Sequence, residues 1–145
     1  MMLLAAVCFI WAGMVLGISF LETPVKFTAP SVTLPIGLDV GRHVFGAFNK
    51  VEIGATLLAG GLMIFARVER AVWLPLSTAI VVVVLQSLWL LPLLDARVEL
   101  ILNGQTPLRT PHHIVYIVLE VLKLICLMAA GVACLWALKR AAPLT

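Results

Sequence analysis

Two long stretches without a charged residue constrain the fold of this chain more than any other feature. Residues 1–21 and 72–94 contain no Lys, Arg, His, Asp or Glu. Residues 44–66 and 114–138 have a similar length, and each carries only two ionisable residues. Because a helix crosses the hydrocarbon core of a bilayer with about 20 mostly apolar residues, the sequence predicts four spanning helices over these ranges. The expected fold is all-α, a polytopic membrane four-helix bundle that forms one domain over residues 1–145.

The composition excludes the main classes of soluble protein. The chain has 63% hydrophobic and 12% charged residues, whereas a soluble domain has about 25% charged residues. The net charge is only +3, and no basic stripe follows any predicted helix, which argues against nucleic-acid binding. The expected partners are therefore the lipid bilayer and either a second copy of the chain or a larger membrane complex.

The first apolar stretch has two interpretations, a cleaved signal peptide or a retained helix. A signal peptide carries basic residues before its apolar segment, and the first Lys or Arg of this chain is Lys26. We therefore expect the first helix to be retained. The three cysteines, Cys8, Cys126 and Cys134, all lie within predicted spans, where Cys usually packs as a small hydrophobic residue.

Charges in the short connections predict the orientation. With four spans, both termini lie on one side, together with Arg67, Arg70, Lys139, Arg140 and Glu69. The opposite side holds Lys26, Arg42, Arg97 and Arg109 against Glu22, Asp39, Asp95 and Glu99. Each side has four basic residues, so their count alone does not decide the orientation. The side with the termini has a net charge of +3 and the opposite side a net charge of zero, which favours cytoplasmic termini.

The connections differ in length. Residues 22–43 contain three prolines, which predict a long loop, either a lid or a plain surface loop. Thr110-Pro111 is typical of a helix start, and the third helix is expected to continue past Pro92 and to stop near Asn103-Gly104. Asp95 and Glu99 share a face there, either as a metal-binding pair or as the solvated end of a helix.

The ionisable residues inside the spans are Lys50, Glu52, Glu120 and Lys123. Charged groups in a membrane are costly and usually face a partner or an aqueous cavity. At 100° per residue, the fourth helix presents a polar stripe comprising His113, Tyr116, Glu120 and Lys123. The second helix presents another, comprising Arg42, Phe45, Asn49, Glu52 and Thr56.

The two stripes lie at similar depth, in the half of the bundle away from the termini. Facing stripes would pair Glu52 with Lys123, or Glu120 with Arg42, and the third helix could add Gln86. His43 and Lys50 share a different face of the second helix, turned toward the loop or toward another subunit.

Three interpretations of these stripes stay open at this point. The first is a buried ion-pair network that fixes helix register. The second is a polar cavity toward the outer face for a small ligand, an ion or a proton, in an accessory or transport subunit. Its candidate residues are Arg42, Asn49, Glu52, His113, Tyr116, Glu120 and Lys123.

The third interpretation is a membrane oxidoreductase that carries a metal, a haem or a quinone. Candidate metal ligands are Glu52, His112, His113 and Glu120, and a haem would need His43 with one of the two adjacent histidines. Di-iron bundles usually contain Glu-x-x-His, and this motif is absent from the chain. The sequence leaves the identity of any cofactor open.

Two segments carry a family resemblance. Residues 22–27 read ETPVKF, and residues 41–52 read GRHVFGAFNKVE. In these segments, and in its overall layout, the chain resembles a family of small four-helix bacterial inner-membrane proteins classed as a domain of unknown function. The resemblance implies a bacterial inner membrane and assigns no role to any residue.

Overall fold

The computed structural model describes residues 1–66, 68–108 and 110–141, and this part of the chain is helical with no strand. Its four long helices are α1 (Met2–Lys26), α2 (Leu34–Phe65), α3 (Arg70–Leu102) and α4 (His112–Ala141). Each is long and apolar enough to cross a membrane. The predicted all-α four-helix fold is confirmed, and four candidate membrane-spanning helices are those expected of a multi-pass membrane protein.

The connection between the first two helices is much shorter than the sequence predicts. α1 continues to Lys26 and α2 begins at Leu34, so the loop is residues 27–33 rather than 22–43. Pro35 lies in the first turn of α2, where a backbone N–H has no partner within the helix. Pro24 lies inside α1, directly after a π-helical stretch over Leu16–Glu22. Proline therefore did not shorten either helix, and the expectation of a long loop was wrong.

Two helices contain a stretch of π-helix. In α1 it spans Leu16–Glu22, and in α3 it spans Gln86–Leu90, just before Pro92. α3 continues past this proline and ends at Leu102, and Gly104 follows with a φ of +76°. That left-handed conformation favours glycine at a helix end, so the predicted stop is confirmed.

Two ends of the bundle can be distinguished. The terminal end contains the start of α1, the end of α4 and the connection between α2 and α3, and there Arg140 contacts Glu69 at 3.2 Å. The loop end contains residues 27–33 and the connection between α3 and α4. Arg67 and Arg109, which enter the predicted charge balance, lie outside the described residues, as do residues 142–145.

α4 packs along both α1 and α3, and α2 is the least buried of the four helices. Toward the terminal end the interior is apolar, with Leu4, Cys8, Ala59, Leu76, Leu127 and Ala130 all buried. Gly131 of α4 lies against the ring of Phe9 of α1. By contrast, no atom lies within 4 Å of where a Cβ on Gly13 or Gly17 would be, so this GxxxG pair is not used inside the bundle.

Candidate functional site

Three charged side chains meet in the bundle interior. Glu52 of α2 and Glu120 of α4 are each 1% exposed, and Lys123 of α4 is fully buried. The Lys123 Nζ lies 2.5 Å from Glu52 Oε1 and 2.7 Å from Glu120 Oε1. Glu120 and Lys123 are three residues apart on α4, so both groups lie on the side of the helix that faces the bundle interior. These three residues are called the charged triad below.

Neutral side chains from the other helices complete the triad's hydrogen bonding. The Trp11 indole donates to Glu52 Oε1 at 3.0 Å, and Ser19 Oγ donates to Glu120 Oε2 at 2.9 Å. Gln86 bridges the two ions of α4, because its Nε2 donates to Glu120 at 2.9 Å and its Oε1 accepts from Lys123 at 2.9 Å. All four helices therefore contribute to one buried network.

The two π-helical stretches position two members of this network. Ser19 lies in Leu16–Glu22 and Gln86 begins Gln86–Leu90, and both contact Glu120. A π-helical turn widens the helix locally and shifts the direction of the side chains that follow, and such turns are frequent at functional sites. Two π-helical stretches that contribute to one carboxylate favour a specialised role for the position of Glu120.

The triad is unbalanced in charge. It combines two carboxyl groups with one ammonium group, while its described neighbours Trp11, Ser19 and Gln86 carry no charge. The Phe48 ring, 5.9 Å from Lys123 Nζ, offers only the negative face of an aromatic ring. With both carboxyl groups ionised, the cluster would have a net charge of −1 in an interior that screens charge poorly.

Two adjoining cavities of about 350 and 360 Å³ open at the loop end. Five residues line both of them, namely Thr23, Phe27, Phe45, His113 and Tyr116. The cavity of about 360 Å³, called the inner cavity below, also reaches Ser19 and Glu120. The other, called the outer cavity, extends along α2 and α3 toward Arg42, Asp95 and Arg97. The triad is thus connected to the loop end through Glu120.

The structure brings together part of the predicted stripe. Glu52 pairs with Lys123, which is one of the two predicted pairings. The other pairing, Glu120 with Arg42, is not formed, because Arg42 Nε contacts Asp39 at 3.0 Å and lies at the cavity rim.

The remaining stripe residues lie at the edge of the site. Asn49 donates to Ser87 Oγ at 2.6 Å rather than to the triad. Tyr116 is 5% exposed and stacks edge-on against Phe45, and with His113 it lines both cavities. Lys50 and His43 are exposed on the outside of α2, on a different face from Glu52, as predicted.

The candidate metal ligands do not converge. No three His, Cys, Asp or Glu side chains come together as a metal site within the described ranges. Glu52 and Glu120 share Lys123, whereas His112 packs edge-on against Trp89 with ring centroids 6.3 Å apart. His113 faces the cavities instead.

Two network residues were missed by sequence reasoning, Trp11 and Ser19. Both lie in the uncharged first span, where no polar stripe is visible. A Trp that is fully buried usually needs an acceptor for its indole N–H, which is the signal that could have pointed to Trp11.

No family model, curated protein or solved structure matches this chain. The resemblance to small four-helix inner-membrane proteins stays a prediction. The charged triad and the two cavities are therefore the features that indicate a function.

Proposed function

We propose that this protein is a bacterial inner-membrane subunit that takes up one proton at the charged triad and exchanges it with the outer face of the membrane. The observation that carries the proposal is a buried Lys123 shared between two buried carboxyl groups, Glu52 and Glu120. One added proton leaves one carboxylate paired with one ammonium, and the cluster becomes neutral.

The energetics favour that neutral state. A lone charge near the middle of a membrane helix costs about 2.5 to 3.5 kcal/mol on insertion scales. Two carboxyl groups that share a site also resist ionising together. The neutral neighbours Trp11, Ser19 and Gln86 can donate hydrogen bonds, but they supply no compensating positive charge. Protonation of one carboxyl group removes the excess charge without any movement of the helices.

Access to the triad is one-sided in this arrangement. Glu120 and Ser19 line the inner cavity, so a proton can reach Glu120 from the loop end. Toward the terminal end, Thr56 Oγ1 lies one helical turn beyond Glu52 and has no partner among the described side chains. Beyond it the interior is apolar, with Ala59 and Leu127 fully buried. These features support a proton-binding or proton-coupling subunit rather than an open proton channel.

The proposal places the loop end in the periplasm and both termini in the cytoplasm, since the net charge of the connections is +3 against zero. We expect a green fluorescent protein fused after residue 145 to fluoresce in cells. Alkaline phosphatase, which is active only in the periplasm, should be inactive at that position and active when inserted after Pro30. The opposite pattern of the two reporters would overturn the orientation.

Infrared spectroscopy tests the proton directly, because the C=O stretch of a protonated carboxyl group is separate from the carboxylate bands. We expect one protonated carboxyl group per chain at neutral pH in the purified wild-type protein. Glu52→Gln and Glu120→Gln should each abolish this band, since the single remaining carboxylate then balances Lys123. Glu99→Gln is the matched control, because Glu99 is exposed, and it should leave the band unchanged.

The same spectra distinguish a proton-binding site from an ion pair that only fixes the register of the helices. A wild-type spectrum without a protonated carboxyl band between pH 6 and 8 would refute proton uptake. A band that persists in both triad variants would assign the proton to another group. If the glutamates only fix helix register, the Gln variants should change stability and no spectral signature should depend on them.

A further inference from the structure

The cavities at the loop end have walls suited to an apolar molecule. The outer cavity of about 350 Å³ is lined mainly by carbon-rich side chains of α2 and α3, including Leu34, Leu38, Leu91, Leu94, Val98 and Ile101. Its volume is at the lower end of the range for small-molecule sites, about 300 to 1,000 Å³. It adjoins the inner cavity, which is also largely bounded by apolar groups such as Phe20 and Ile117.

The three cations that line the outer cavity, Lys26, Arg42 and Arg97, already have partners. Lys26 Nζ lies 3.3 Å from Glu22, and Arg42 Nε lies 3.0 Å from Asp39. Arg97 donates to the Leu108 carbonyl at 2.6 Å and to Thr110 Oγ1 at 2.9 Å.

Within the described residues, the rim therefore combines three cations with three acids, Glu22, Asp39 and Asp95. An anionic ligand would face Asp95 and would have to displace an acid from Lys26 or Arg42, or the neutral oxygens from Arg97. A cationic ligand would face Lys26, Arg42 and Arg97. An uncharged ligand meets neither cost.

The junction between the cavities supplies hydrogen-bonding groups. Tyr116 and His113 line both cavities, and the Tyr116 ring is held edge-on against Phe45 with centroids 5.6 Å apart. A phenol and an imidazole can each donate to or accept from a hydroxyl or carbonyl group. A ligand with its polar end at this junction can place its apolar part between Leu91 and Val98.

We propose that the outer cavity binds an uncharged molecule with an apolar body and one hydroxyl or carbonyl end, held by Tyr116 and His113. Alcohols, quinones and similar membrane-soluble compounds belong to this class. The proposal goes beyond proton uptake and does not depend on it, because the walls of the outer cavity do not include the charged triad.

A competition experiment with three probes of equal chain length tests the charge preference. Radiolabelled decanol is bound to the purified protein at pH 7 and displaced by unlabelled decanol, decanoate or decylammonium. We expect decanol to compete at a concentration at least tenfold lower than either ion. Equal or better competition by decanoate or decylammonium would overturn the assignment of an uncharged ligand.

Substitutions locate the bound probe. Leu91→Trp and Val98→Trp each fill the outer cavity and should abolish saturable binding. Leu88→Trp is the matched control, since Leu88 is 78% exposed on the bundle surface, and it should bind as the wild type does. Tyr116→Phe removes only the hydroxyl and should weaken binding about fivefold, as expected for one lost hydrogen bond.

The controls make every outcome informative. Equal binding by Leu88→Trp and by both cavity-filling variants would show that decanol enters the detergent rather than the cavity, which overturns the proposal. If the Trp variants fail to fold, unchanged affinity in Tyr116→Phe would overturn the placement of the polar end. Wild-type affinity in Glu52→Gln would show that ligand binding and proton uptake are separate properties.

Discussion

Replacing Lys123 by Met should destabilise the protein more than any other single change in the interior. The substitution keeps an unbranched side chain of similar bulk but leaves Glu52 and Glu120 together without a cation. Removal of one partner from a buried ion pair costs about 3 to 5 kcal/mol, because the remaining charge is left uncompensated. We expect a loss of that size in the free energy of unfolding, measured at neutral pH by reversible denaturation in mixed micelles.

Two comparisons identify the cause of the loss. Lys50→Met changes the same residue type on the exposed face of α2 and should have little effect. Addition of Glu52→Gln and Glu120→Gln to the Lys123→Met chain should recover most of the stability, since no charge then remains. Lowering the pH should also stabilise the single variant, because protonation neutralises the two carboxyl groups. If Lys123→Met and Lys50→Met were equally stable, the triad would have no energetic importance.

The number of helices and the class of fold could be predicted because membrane insertion depends on the length and apolarity of each segment. Residues 72–94 contain no charged residue and are too apolar to be exposed to water over their whole length. They lie within α3. The ends were less predictable where proline was involved. Proline is disfavoured inside a helix and compatible with a first turn. Pro35 lies in the first turn of α2, whereas Pro24 lies inside α1 next to a π-helical stretch, and a single sequence shows neither position.

The centre of the candidate site could also be predicted, because buried charges need partners at the same depth. This reasoning identified Glu52, Glu120 and Lys123, and one predicted pairing is present. It could not find the contact between Ser19 and Glu120. Side-chain directions were assigned at 100° per residue, and Ser19 lies in a π-helical stretch where that angle does not apply. Trp11 could not be identified from the sequence, because the polar residues of its span show no helical periodicity.

The contacts between helices show a similar limit. The GxxxG pair Gly13 and Gly17 favours close packing in the sequence, yet the structure leaves both glycines open. The close approach of α1 to α4 occurs at Gly131 instead, whereas the pair of small residues four apart on α4 is Ala130 and Cys134. Small residues permit close contact, but their pattern does not state which face of a helix meets a neighbour.

Replacing Gly131 by Leu should therefore separate α1 from α4. A Cβ added at this position would lie 2.8 Å from the ring of Phe9, closer than two carbon atoms can approach without displacement. The rest of a leucine side chain requires still more room at this close contact between α1 and α4. Overpacking of an interior costs about 1 to 3 kcal/mol, and we expect a loss in this range in the same denaturation measurement.

Gly13→Leu is the matched control, because it makes the same substitution on α1 at a position with nothing within 4 Å. It should leave the stability unchanged or raise it slightly, since leucine has a higher helix propensity than glycine. Phe9→Ala combined with Gly131→Leu should restore part of the loss, because the smaller side chain makes room for the leucine. Additive effects of these two changes would contradict direct contact, and α1 would then have to be held against α4 by other contacts, among them the hydrogen bond from Ser19 to Glu120.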